Sequence, residues 1–118
     1  MQLTNTAAAM GSGTLEVFST PGMIALMERA ALESVQPHLD EAMSTVGVSL
    51  NVEHLASTPV GMTVRAESEL TAIDGRTLTF RVAAYAGDER IGQGTHKRCI
   101  IHSGRFMSKA MSKIKPIE

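Results

Sequence analysis

The sequence predicts an α+β fold in which one long helix packs on a five-stranded antiparallel sheet, in the order strand, helix, then four strands. Three observations predict it. One helical stripe with start and stop signals fills the span from Pro21 to about Gln36. From Val46 onward the apolar period changes from 3.6 to 2. The alternating runs are joined by short glycine-bearing turns, which suit antiparallel neighbours.

The first strand is read at TLEVF, Thr14 to Phe18, which alternates and is rich in strand formers. Thr20 is the expected N-cap of the helix, with Pro21 at the first helical position, where a missing N–H costs nothing. Pro37 closes the helix near Gln36, because the residue before proline is pushed out of the α region. Ile24, Glu28, Ala31 and Val35 fall on one stripe of this helix, and Arg29, Glu33 and Gln36 on the opposite face.

In VGVSLNVEHL, strict alternation places Val46, Val48, Leu50, Val52 and His54 on one face and Gly47, Ser49, Asn51 and Glu53 on the other. After the turn STPVGM, Val64, Ala66, Ser68 and Leu70 oppose Arg65, Glu67 and Glu69 in a half-buried strand. Asp74-Gly75 signals a hairpin into TLTFRVAAY, with Leu78, Phe80, Val82 and Ala84 inward, and Gly87-Asp88 opens the last strand, RIGQGTHKRCIIH. Five strands leave an open edge and one helix covers only part of a sheet face, so pairing with a second copy is expected.

A chain of 118 residues supports one core of modest size. Residues 1–13 read as a lead-in without the basic start of a signal peptide, 14–103 as the domain, and 104–118 as a basic tail able to form a short amphipathic helix. The net charge of −1 gives no reason to propose nucleic acid or an anionic membrane as partner, and 3% aromatic residues argue against a base-stacking platform. No run reaches the roughly 20 apolar residues that span a bilayer. The lone cysteine, Cys99, lies in a strand pattern as a structural thiol and fits a reducing, cytoplasmic setting.

Glu28 is the anomaly of the helix, since an unpaired buried carboxylate is costly and must be paired, protonated or lining a wet cleft. A structural and a functional role are equally open to it. His54 ends a strand with its ring inward by alternation, either as a satisfied core histidine or as one half of an acid/base pair. Thr20 is explained by capping alone, or is a hydroxyl nucleophile if a base lies nearby. Thr20 and Glu28 are eight residues apart, about 12 Å along a helix, so they cannot touch on one rigid segment. A shared site would need substrate, a bent helix start or a second subunit between them.

Gly92 and Gly94 inside a strand point to a bulge or a close backbone approach, and the helix needed for a dinucleotide fingerprint does not follow them. His38, His54, His96 and His102 have no metal-ligand spacing, so no metal is implied, and there is no GxSxG serine elbow.

TPGMIALMERAA, VGVSLNVEHLASTPVGMTV, LTAIDGRTLTFRVAA and IGQGTHKR, in that order and spacing, resemble a hotdog-fold acyl-CoA thioesterase of the fluoroacetyl-CoA thioesterase-like group, over residues 14–102. The resemblance implies a helix wrapped by the sheet, a homodimer or dimer of dimers with sites at the interface, and no metal or redox cofactor. It implies Thr20, Glu28 and His54 as catalytic residues, with Gly47 near the acyl group and Arg98 helping to hold the substrate. The implied activity is hydrolysis of a small acyl-CoA thioester. A non-catalytic acyl-CoA-binding module and an enoyl-thioester hydratase are the alternatives. The fluoroacetyl specialist carries an aromatic gate six positions before its threonine. Thr14 stands there in this chain, with Phe18 nearer, so a general short-chain acyl group is the expected substrate.

Overall fold

The computed structural model describes residues 17–114. Helix α1 runs Thr20–Val35 and tightens into a short 3-10 turn at Gln36–His38. Strands β1 (Met43–His54), β2 (Val64–Asp74), β3 (Thr77–Ala86) and β4 (Glu89–His102) follow, and α2 (Ser103–Met111) closes the described chain. The strands form one antiparallel sheet in the order β1-β4-β3-β2. The expected fifth strand is replaced, among the described residues, by an isolated bridge between Val17 and Pro59. Phe18 N–H donates to the Thr58 carbonyl at 2.8 Å beside it. Thr14 to Glu16 and the lead-in of residues 1–13 lie outside the described residues, as do the last four of the tail.

The helix starts one residue earlier than expected. Ser19, not Thr20, is the N-cap: its backbone is extended and its Oγ accepts the Gly22 N–H at 2.9 Å. The buried stripe is also set one residue back, on Met23, Met27, Ala31 and Val35. Ile24 and Glu28 are half-buried on its flank. Both stripes share Ala31 and Val35, and unbranched methionine fills the irregular gap over the sheet, so the methionine side faces down. Arg29 and Glu33 pair with each other in solvent. Gln36 instead turns toward the sheet, donating to the Met43 carbonyl and accepting from Ser44 Oγ.

Leu78, Phe80, Val82, Ala84 and Ala86 of β3 are buried on alternate positions and meet the methionines, with Phe18 and Ile91 completing the core. Each large side chain so enclosed contributes about 1.5–3 kcal/mol. Gly75 and Gly87 take φ of +60° and +59°, as the first central residue of a tight hairpin turn demands. The outer sheet face is wet and carries the Arg81–Glu69 pair. Cys99 is half-buried in β4 rather than enclosed. No described helix is long and apolar enough to cross a membrane.

One irregularity in β1 decides the site. Its pairing with β4 slips between Gly47 and Ser49: Gly47 stands opposite Arg98 and Ser49 opposite Lys97, which leaves Val48 as an extra residue, 57% exposed. Leu50, Val52 and His54 face inward as expected. Before the bulge the parity reverses, so Thr45 and Gly47 face the helix and Val46 and Val48 do not share the face of His54.

Candidate active site

Because Ser19 holds the cap, the Thr20 hydroxyl is free for another partner. It lies 2.8 Å from Nδ1 of His54, at the far end of β1. The two side chains line a hollow of about 360 Å³ together with Phe18, Leu55 and Ser57. The first turn of α1 offers few free donors to this hollow. Pro21 has no N–H, the Gly22 N–H is taken by Ser19 Oγ, and the Met23 N–H by the Ser19 carbonyl at 3.0 Å. Thr20 N–H remains at the positive end of the helix dipole.

Glu28 belongs to a second cluster. Its Oε2 is 3.7 Å from Nη1 of Arg98, which is buried while the carboxylate is 45% exposed. Arg98 is held on three sides: Nε donates to Thr45 Oγ1 at 2.8 Å, Nη2 to the Thr45 carbonyl at 2.9 Å, and Nη1 lies 3.1 Å from His96 Nε2. Burial pulls the guanidinium below its ordinary pKa, and the Glu28 charge partly offsets that. Glu28, Gly47, Leu50 and His96 border a smaller hollow of about 240 Å³. A Cβ on Gly47 would stand 3.0 Å from Glu28 Oε2 and 3.2 Å from His96 Cε1, so glycine keeps this space open.

The structure thus places Thr20 with His54, and Glu28 with Gly47 and Arg98. The two groups are separated by about 20 Å along β1, counted from His54 to Gly47. Among the described residues the ion-pair partner of Glu28 is Arg98, not His54. In the sequence His96 stands out only as a histidine without metal-ligand spacing and Thr45 does not stand out at all, yet both hold Arg98. The i, i+2 spacing of His96 and Arg98 was the available signal, because it puts both on one strand face. Gly92 and Gly94 are close approaches: a Cβ on Gly92 would strike Met23 Sδ, and one on Gly94 would lie 2.6 Å from Val52 Cα.

Several known proteins share this arrangement of chain. The profile of a family described as fluoroacetyl-CoA-specific thioesterase, FlK, matches residues 2–104. The fluoroacetyl-CoA thioesterase of Streptantibioticus cattleyicolor is 41% identical over 98 residues, covering 83% of this chain and 70% of that protein. A solved structure of the fluoroacetyl-CoA thioesterase FlK superposes with a TM-score of 0.90 at 34% identity, over 96% of this chain and 88% of that one. A point variant of FlK, solved with fluoroacetate and CoA, gives 0.89 at 34% identity over 96% and 93%. A hot-dog-like protein from Thermanaerovibrio acidaminovorans, at 20% identity, TM-score 0.87 and coverage of 98% and 86%, shares the fold. Thr14, the position of the aromatic gate, lies outside the described residues. Since the profile spans nearly the whole sequence and the relative in S. cattleyicolor shares two residues in five with it, the chain belongs to the fluoroacetyl-CoA-specific thioesterase family.

Proposed function

We propose that the protein hydrolyses small acyl-CoA thioesters to the free acid and CoA, at a site composed of Thr20 and His54 from one copy and Glu28, Gly47 and Arg98 from a second. Family membership supports the reaction. The observation that carries the site is the 2.8 Å contact between a hydroxyl released from capping and an imidazole, at a helix N-terminus. His54 Nδ1 accepts the proton of the Thr20 hydroxyl or, through it, of an attacking water. Thr20 N–H and the helix dipole face the charge that develops on the carbonyl oxygen. The new C–O bond forms first and gives a tetrahedral oxyanion. Its collapse breaks the C–S bond, and the proton held by His54 passes to the CoA sulfur, which leaves as the thiol. In the route through Thr20, a water then cleaves the acyl-threonine ester to the free acid.

The distance between the two groups supports a second copy. Strand β1 is an edge of the sheet and open to pairing. If it pairs antiparallel with its own copy about a two-fold axis at Asn51, Val52 opposes Leu50 and Glu53 opposes Ser49. The bulge residue Val48 is then passed over, and His54 of each copy faces Gly47 of the other, both on the helix side. Two incomplete groups become one site. The reading covers a homodimer or a dimer of dimers, and the site needs only the dimer. A cytoplasmic location belongs to the same reading, supported by the single free cysteine.

Glu28 has two roles open to it, attack on the carbonyl or alignment of His54 and its water. Single turnover in oxygen-18 water separates them, since label enters Glu28 only in the first. The activity itself is tested by thiol release from acetyl-, fluoroacetyl-, propionyl-, butyryl- and phenylacetyl-CoA, for wild type beside Thr20→Ala, Glu28→Gln and His54→Ala. Release that collapses in all three variants is expected and names the acyl class. Absence of release from every thioester, with CoA ligands still bound, overturns hydrolysis in favour of a binding module.

A further inference from the structure

His96 is the most enclosed titratable side chain of the sheet, 1% exposed, and the mechanism above gives it no part. Its two ring nitrogens face partners of opposite kind. Nδ1 is 2.9 Å from the carbonyl oxygen of Ser49, which only accepts. Nε2 is 3.1 Å from Nη1 of Arg98, which only donates. The polarity of those partners assigns the proton to Nδ1 and a lone pair to Nε2. Phe80 backs the ring at a centroid distance of 6.3 Å, and the Cε1 edge looks toward the open space at Gly47. The group that Nε2 holds is the same nitrogen of Arg98 that faces Glu28.

We infer that His96 is a positioning residue: as the neutral Nδ1–H tautomer it fixes Nη1 of Arg98, and through it the Glu28 carboxylate, at the edge of the acyl hollow. This rests on the reading of Glu28 and Arg98 as parts of the active site. Thr45 binds the other two nitrogens of the guanidinium, so it sets the plane of the group. His96 sets the remaining nitrogen, and the carbonyl of Ser49 anchors that setting to the strand just past the bulge. An imidazolium at this place would turn a second donor onto Arg98 and break the arrangement.

Two amide substitutions separate the ring's contacts. The amide of His96→Asn lies where Nδ1 was, keeping a donor for Ser49 and leaving Arg98 without its acceptor. The amide of His96→Gln lies where Nε2 was and keeps an acceptor for Arg98. Steady-state kinetics on the preferred acyl-CoA should show kcat reduced about 100-fold in His96→Asn with KM little changed, the order of loss that a small misplacement causes. His96→Gln should stay within about 10-fold of wild type. Arg98→Lys should lose at least as much as His96→Asn, and the double variant should be no worse than Arg98→Lys, because one residue acts through the other. Nitrogen-15 spectra of wild type should show His96 as the Nδ1–H tautomer, a readout that needs no variant to fold. An Nε2–H or doubly protonated ring overturns the inference. So does full kcat in His96→Asn while Glu28→Gln and Arg98→Lys are impaired, which leaves the site reading intact. If Glu28→Gln and Arg98→Lys are themselves fully active, the site reading fails first and the inference falls with it.

Discussion

Ser19 and Thr20 are neighbouring hydroxyls with separate work, and their separation is measurable. Ser19→Ala removes the buried acceptor of the Gly22 N–H and should cost about 1–2 kcal/mol in denaturant unfolding, the usual range for a lost cap. Thr20→Ala leaves that cap in place and removes only the partner of His54. It should lower kcat by about 100-fold or more, with little change in unfolding midpoint. The opposite pattern, with stability lost at Thr20 and activity at Ser19, would return Thr20 to the capping role that the sequence suggested. A sequence offers no way to choose between adjacent serine and threonine as cap, because both fit the position and the choice rests on where the chain enters the helix. Thr20, Glu28 and His54 stood out as candidates because each is a polar group at an inward or terminal place. What the residues alone concealed was the company of Glu28: its nearest cation, Arg98, is 70 positions away in sequence and reaches it only through the sheet.

At the level of elements, the helix and the three hairpin-linked strands followed directly from periodicity and turn chemistry. The exceptions are informative. Positions 23 and 27, both methionine, and 24 and 28, isoleucine and glutamate, offer two helix stripes that share Ala31 and Val35, and only the sheet beneath selects the methionine side. The bulge at Val48 leaves no trace in composition, because VGVSLNV alternates without a break and a strand reader runs straight through it. Its consequence is large, for it is the bulge that turns Gly47 to the face of His54. The glycines of β4 read as a bulge or a close backbone approach; the pairing with β3 slips beside Gly92, and both glycines are close approaches that differ in what they approach. At Gly92 an added methyl meets chiefly the flexible end of Met23, whereas at Gly94 it meets the backbone of Asn51 and Val52. Gly94→Ala should therefore destabilise by about 1–3 kcal/mol, as overpacking against a rigid neighbour does, and Gly92→Ala by less. Equal costs in chemical denaturation would show that the contact between β1 and β4 yields as easily as a methionine side chain.

For the whole molecule, the proposed site must bring together Thr20 and His54 with a Glu28 that they do not reach within one chain. The open β1 edge and the inward setting of both Gly47 and His54 support the proposal that a second copy, paired about Asn51, supplies half the site. That arrangement has a consequence that a self-contained site lacks. A chain carrying His54→Ala and a chain carrying Glu28→Gln are each inactive as homodimers. In a mixed dimer, one site receives both defects and the other receives none, because the intact His54 of one chain meets the intact Glu28 of its neighbour. Unfolding and refolding the two variants at equal concentration makes half of the dimers mixed, each with one of two sites whole. Thiol release should then recover to about a quarter of the wild-type rate per chain. A chain carrying both substitutions should recover nothing by itself. Refolding it with an equal amount of wild type should lower the rate per chain from about half of wild type, the value for unmixed homodimers, to about a quarter, because both sites of each mixed dimer are broken. No recovery in the mixed sample, with mixed dimers demonstrated by mass, would mean that Glu28 and His54 serve the same chain and that α1 or β1 moves to bring them together when substrate binds.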